Sequence, residues 1–225
     1  MKTYLKLIVI SVVLSTFLSG CFLKSVYTLV KDEDAVELPG ISGVWEQDDQ
    51  RWTFIKGGEF DDQTIIGGKG GESFEISMTD TGGDSLSDSS NLYLVVYEDL
   101  SESEIDSAYF FGKFADLNNG FYLDLLPVDF GSVSFSDNHY LPVHTFSKVE
   151  LNEDSLTINL FKDSWIEEQI RDNRVRIKHE RIDGDGAVLI TASTEELQKF
   201  IIKYGNMSEA FREPITLSKL TDGEH

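Results

Sequence analysis

Hydrophobic and polar positions alternate with a period of two through much of the chain beyond residue 41. Leu156, Ile158 and Leu160 are separated by Thr157 and Asn159, and Phe121, Leu123 and Leu125 repeat the pattern against Asp124. Successive side chains of a strand point to opposite faces, so each run predicts a strand with one face inward. Leu92 to Tyr97 is apolar throughout, as expected of a strand covered on both sides. Tyr109 to Phe114 carries aromatic rings on both faces. Asn119-Gly120 separates that run from Phe121 and predicts a tight hairpin, because both residues tolerate positive φ. Asn152–Ser155 and Asp183–Gly186 predict two more turns, and further strands are expected at 44–46, 51–56, 64–66, 74–78, 143–151, 175–182, 188–191 and 215–220.

The period changes late in the chain. Ser193-Thr194-Glu195-Glu196 has the form of a capping box, in which hydroxyl and carboxylate satisfy each other's backbone amides. Leu197, Phe200, Ile201 and Tyr204 follow at helical spacing, and Gly205 stands at the stop. A shorter helix is predicted from Ser164 to Asp172, capped by Ser164 with Glu167 and burying Trp165, Ile166 and Ile170. A turn at Ser208–Phe211 precedes Pro214. The expected fold is mainly β: an antiparallel sandwich or partly open barrel, lipocalin-like at most, with two short helices in the C-terminal half.

The first residues obey neither period. Lys2 and Lys6 give a basic start, Leu7 to Leu18 is an apolar run, and Ser19-Gly20 lead to Cys21. That order is the order of an export signal. The run has twelve positions, against about 20 for a spanning helix. Residues 1–20 are therefore read as a lipoprotein signal peptide and 21–40 as the lipidated cysteine and a tether. Residues 41–220 are read as one β-rich domain and 221–225 as a tail. The Gly/Ser/Asp-rich stretch 80–91 reads as an exposed loop.

Charge and composition narrow the chemistry. Nineteen basic residues against forty acidic ones give a net charge of −21, which argues against nucleic acid and against electrostatic membrane binding. With one cysteine, neither an internal disulfide nor a thiolate zinc site can form. Of the histidines His139, His144, His179 and His225, two share strand faces with apolar residues: His144 with Phe146, and His179 with Val175 and Ile177. Inward imidazoles could bind a metal or work as acid and base, but no H-x-x-x-H or H-E-x-x-H spacing accompanies them. A core or rim histidine is the simpler reading.

Asp183-Gly184-Asp185-Gly186 opens like a calcium loop but has no closing Glu at the required spacing, so it reads as a turn. Asp48-Asp49, Asp61-Asp62 and Asp32-Glu33-Asp34 are acidic without a fixed geometry. Gly67-Gly68-Lys69-Gly70-Gly71 lacks the G-K-[ST] ending of a phosphate loop, and no G-x-S-x-G elbow is present. No catalytic residue, metal or cofactor is therefore assigned. Tyr109 and Phe111, within the aromatic group Tyr93 to Tyr122, join His144 and His179 as candidate ligand contacts on a sheet face. Core filling is the commoner use of such rings.

Leu18-Ser19-Gly20-Cys21 resembles a bacterial lipobox. The resemblance implies cleavage before Cys21, a diacylglyceryl thioether on its sulfur and an acyl chain such as palmitate on its amine. Several chains give stable anchoring where one does not. Phe22, in place of an Asp, implies the outer membrane. Gly43-Val44-Trp45 resembles the G-x-W start of lipocalins. Trp52-Thr53-Phe54, Leu123–Pro127, Leu141–Phe146 and Leu189–Gln198 resemble a group of uncharacterised bacterial lipoproteins, a likeness that implies a shared fold and address and carries over no site.

The expectation is an outer-membrane lipoprotein facing the periplasm or the surface, serving as a non-catalytic binding or accessory module. Its partner would be an apolar or sugar ligand or an envelope protein. The alternatives are an envelope hydrolase using carboxylates or His144 as acid and base, and a structural subunit of an envelope complex. Under the lipobox reading, Cys21→Ser blocks incorporation of labelled palmitate and leaves full-length precursor on a gel. Normal processing of that variant overturns the reading.

Overall fold

The computed structural model describes residues 22–57, 65–67, 73–75, 91–101, 105–118, 120–128, 141–182 and 187–220. In chain order the strands are β1 (Lys24–Ser25), β2 (Gly43–Gln47), β3 (Gln50–Lys56), β4 (Ile65–Gly67), β5 (Ser73–Glu75), β6 (Leu92–Asp99) and β7 (Asp106–Asp116). They continue as β8 (Phe121–Val128), β9 (His144–Leu151), β10 (Ser155–Leu160), β11 (His179–Arg181), β12 (Val188–Ile190) and β13 (Ile215–Lys219). The helices are α1 (Asp163–Arg171) and α2 (Thr194–Tyr204), with a short 3-10 turn at Ser208–Ala210.

Eight of these strands pair until the sheet meets itself. The order β2-β3-β6-β7-β8-β9-β10-β13 is antiparallel at every step, and β13 pairs back with β2. The result is a closed, lipocalin-like barrel in which these strands follow one another in sequence order. Closure removes the free edges that an open sheet would expose. β4 and β5 form a separate antiparallel pair.

Alternation then decides what fills the barrel. Trp45, Phe54, Tyr93, Phe114, Leu123, Leu156, Ile158 and Leu217 belong to one cluster, and each is at most 1% exposed. A barrel of this size encloses just enough room for such side chains. Before β2, the chain lays Leu38 and Ile41 into the same cluster. The Trp45 indole N–H donates to the Ile41 carbonyl at 2.7 Å. Above the Trp45 ring, at 5.1 Å from its centroid, the Lys219 ammonium donates to the Gly40 carbonyl. Trp45 is thus fixed in the barrel core by the chain that enters β2.

Strand β9 serves two partners along one edge. Its residues Ser147–Leu151 pair with β10, whereas His144 and Thr145 pair with β1. β1 runs parallel to β12, and β12 pairs with β11, giving a three-strand wing. A second cluster lies outside the barrel, where Tyr122 and Phe146 meet Trp165 and Ile166 of α1 and Leu197, Phe200 and Ile201 of α2. The α2 capping box forms as the sequence predicts, with Glu196 N–H donating to Ser193 Oγ and Ser193 N–H to Glu196 Oε2.

Three expectations are corrected. Residues 22–40 are not a tether: β1 is sheet, and Leu23, Leu29, Val30 and Leu38 are buried. Helix α1 is not capped by Ser164, because Phe22 and Ala210 hold Lys162 in extended pairing and the helix begins one residue later, at Asp163. The strand expected over 175–182 shrinks to β11, since the Val175 N–H bonds to the Gln169 carbonyl at the end of α1 instead of to a strand. The β7–β8 hairpin forms where the sequence predicts it, with positive φ at Asn118 (66°) and Gly120 (137°), and Asn119 lies outside the described residues. The leader with Cys21, His139, His225, Asp61-Asp62, Gly68–Gly71, 80–90 and Asp183–Gly186 lie outside the described residues.

Gly112 lies on the inward face of β7, and a Cβ there would stand 2.8 Å from Val95 Cγ2 and 3.3 Å from Leu123 Cδ1. Gly112→Ala overpacks the barrel and destabilises it by about 1–3 kcal/mol, read as a lowered urea midpoint at unchanged slope. An unchanged midpoint overturns this account of the close packing.

Candidate functional site

A carboxylate inside an apolar run needs donors, and Asp124 has found four. Alternation on β8 turns Leu123 and Leu125 into the barrel and Asp124 outward, where the chain at 28–30 covers it to 3% exposure. Its Oδ2 accepts from the Thr28 hydroxyl at 2.6 Å, from Leu29 N–H at 2.7 Å and from Val30 N–H at 3.3 Å. Its Oδ1 meets His144 Nδ1 at 2.8 Å, so Nδ1 carries the proton when it donates. The partly exposed His144 therefore has its other ring nitrogen, Nε2, free among the described residues.

Helix α2 holds the same 28–30 turn from the other side. The Thr194 hydroxyl donates to the Thr28 carbonyl at 2.7 Å, and the Gln198 amide donates to the Leu29 carbonyl at 3.1 Å. Lys31 pairs with Glu195, whose carboxyl that hydrogen bond holds down at about 2 while the Lys31 ammonium is raised by it. Both groups are open to solvent, so this pair orients more than it stabilises.

An oriented imidazole with one free nitrogen is what general base catalysis requires. It also needs a group to activate. Ser25 stands directly across from His144 in the β9–β1 ladder, but its hydroxyl donates to the Tyr27 carbonyl at 2.8 Å and accepts from Tyr27 N–H at 3.1 Å. His144, Ser25, Ile190 and His179 form one row across β9, β1, β12 and β11. Three strand spacings put the two histidines about 14 Å apart, too far to share a metal or a proton. His179 Nδ1 lies 2.8 Å from the Ile177 carbonyl. No group of three metal-binding side chains occurs among the described residues.

The other two candidates lie elsewhere. Tyr109 and Phe111 lie on the outer face of β7, opposite Leu94 and Val96 of β6 and Leu126 and Val128 of β8. Both are half-buried, and burial pushes the Tyr109 phenol up. The four residues His144, His179, Tyr109 and Phe111 are not brought together into one pocket.

A feature absent from the expectations lies beyond α1. Arg174, Arg176, Lys199 and Lys203 line a groove of about 520 Å3 with Val175, Ile177, Phe200 and Tyr204. Its signal was present in the sequence: Arg171, Arg174, Arg176, Lys178 and Arg181 fall within eleven residues of a chain otherwise dominated by acids. Asp124 was also visible, as a lone acid between Leu123 and Leu125. Its partners at 28–30 were not, because they are supplied about 95 residues away.

No family model matches the chain, and neither a curated protein nor a solved structure matches it.

Asp124→Ala strips the Leu29 N–H and His144 Nδ1 of their partner, leaves the Val30 N–H and the Thr28 hydroxyl only their bonds within the 28–30 turn, and costs about 1–3 kcal/mol in denaturant unfolding. His144→Ala removes one contact at a partly exposed position and costs about 1 kcal/mol. A larger loss for His144 than for Asp124 overturns the view of Asp124 as the organising acceptor.

Proposed function

We propose that this chain is a lipid-anchored accessory module of the bacterial envelope that engages its partner through its outer surface and performs no catalysis. The observation that carries the reading is the packed barrel. The place where a lipocalin-like fold would hold a small ligand is taken by Trp45, Phe54, Tyr93 and Phe114. The Asp124–His144 pair, the best-formed polar pair outside it, is engaged in holding the 28–30 turn.

The address rests on Leu18-Ser19-Gly20-Cys21 and gains support from the residues next to it. Leu23 is 2% exposed and β1 starts at Lys24, so an anchor on Cys21 would have no spacer. The barrel would rest against the headgroups. Phe22 is exposed, with the Arg212 guanidinium 5.8 Å from its ring centroid and Lys162 as its backbone partner. Aromatic rings flanked by cations suit the interfacial zone of a bilayer.

The free Nε2 of His144 favours a second reading, a hydrolase in which that imidazole is acid or base. Under it, His144→Ala abolishes turnover without unfolding the domain.

Native mass spectrometry on the chain from residue 22 onward tests the packed barrel. The expected result is the bare polypeptide mass. A reproducible small molecule that leaves only on denaturation overturns the outer-surface reading, and the identity of that molecule supplies the substrate to test on His144→Ala.

A further inference from the structure

The groove beyond α1 stands out for its charge. The molecule carries −21 overall, yet this groove has two arginines and two lysines on its walls and one carboxylate, Glu196. Glu196 Oε2 is engaged by the Ser193 N–H in the capping box. Arg174 is held by Asp172 and Gln169, and Lys203 stands 4.9 Å from the Tyr204 ring centroid. Arg176 and Lys199 have no partner among the described residues. In a chain with forty acids, two unpaired cations facing one groove are unexpected.

The geometry is regular. Burial alternates from Arg174 to Lys178, so Arg174 and Arg176 emerge together while Val175 turns into the core. Residues two apart in such a segment stand about 6–7 Å apart. Lys199 and Lys203 are one turn apart on α2, a rise of about 6 Å. Two walls thus offer paired cations at matching intervals above an aromatic floor of Phe200 and Tyr204.

We propose that this groove binds a ligand carrying two or more phosphate groups. A carboxylate presents two oxygens in one plane, whereas a phosphate presents oxygens in several directions and can meet an arginine on one wall and a lysine on the other. Arginine forks pair with such oxygens in bidentate fashion, and lysines add point charge. The distant acids do not prevent this, because screening limits their reach to about 8 Å at physiological ionic strength. The proposal deepens the outer-surface reading but does not depend on Cys21. Its failure leaves the palmitate and bare-mass results untouched.

The test uses the chain from residue 22 onward and two probes: tripolyphosphate in calorimetric titration, and vesicles of phosphatidylcholine with or without cardiolipin, whose headgroup carries two phosphates. Saturable tripolyphosphate binding is expected, weakened about tenfold or more by Lys199→Glu or Arg176→Glu. The pair Gln47→Glu with Thr216→Glu, which adds the same negative charge on exposed barrel positions, should leave binding within about twofold. Cardiolipin-dependent vesicle binding that tracks the same variants assigns the phosphates to a lipid headgroup, and tripolyphosphate binding without it assigns them to a soluble ligand. Circular dichroism confirms that each variant is folded. No binding to either probe, equal loss in the control pair, or tighter binding of polyglutamate than of tripolyphosphate overturns the proposal.

Discussion

The arrangement outside the barrel depends on one buried charge. Asp124 faces outward from β8 into a region the chain covers, and an unsatisfied carboxylate there would cost more than the surrounding apolar contacts return. Its needs are met by the Thr28 hydroxyl and the N–H groups of Leu29 and Val30, which obliges the start of the chain to fold over the barrel. That placement buries Leu29 and Val30, presents the Thr28 and Leu29 carbonyls to α2, and fixes where Thr194 and Gln198 must sit. The barrel, the N-terminal segment and the helix are joined at one acceptor. A structural role also accounts for His144, which fills the remaining oxygen from the rim.

Two close approaches complete the packing. Inside the barrel, Gly112 leaves room for the Val95 and Leu123 side chains, which crowd in over β7 from the strands on either side. Outside it, Tyr122 reaches the end of α2, where its hydroxyl donates to the Gly205 carbonyl at 3.3 Å. A Cβ at Gly205 would lie 2.0 Å from that hydroxyl. With φ at −69°, Gly205 is in an ordinary backbone conformation, so space rather than left-handed geometry requires glycine here.

What could be read from the sequence depends on the range of each interaction. The strands and α2 were legible because alternation and the capping box are properties of neighbouring residues. Even the use of the aromatic run was legible in part: Tyr93 and Phe114 fill the barrel, while Tyr109 and Phe111 lie outside it. The N-terminal segment was misread because Lys24–Ser25 is too short to show a period, and its place depends on β9 and β12, more than a hundred residues away. The α1 cap was misread for a similar reason. Ser164 and Glu167 have the right spacing, but pairing of Lys162 with distant partners decides where the helix begins. Closure of the barrel, rather than partial opening, required β13 to find β2, which no local pattern announces.

The net charge proved a poor guide to local surface. A value of −21 describes the far field, where it discourages association with other polyanions, but contact chemistry is set within a Debye length. Within that distance, the groove between Arg176 and Lys199 is cationic, and so is the surround of Phe22, where Arg212 and Lys162 gather. These two regions border opposite ends of α1, whose nine residues span about 13 Å. A molecule of net charge −21 therefore keeps two local cationic regions, one at each end of α1. An anchor emerging beside Phe22 would hold the Phe22 end near headgroups whatever the far field does, and would place the groove within reach of phosphate chemistry at the membrane.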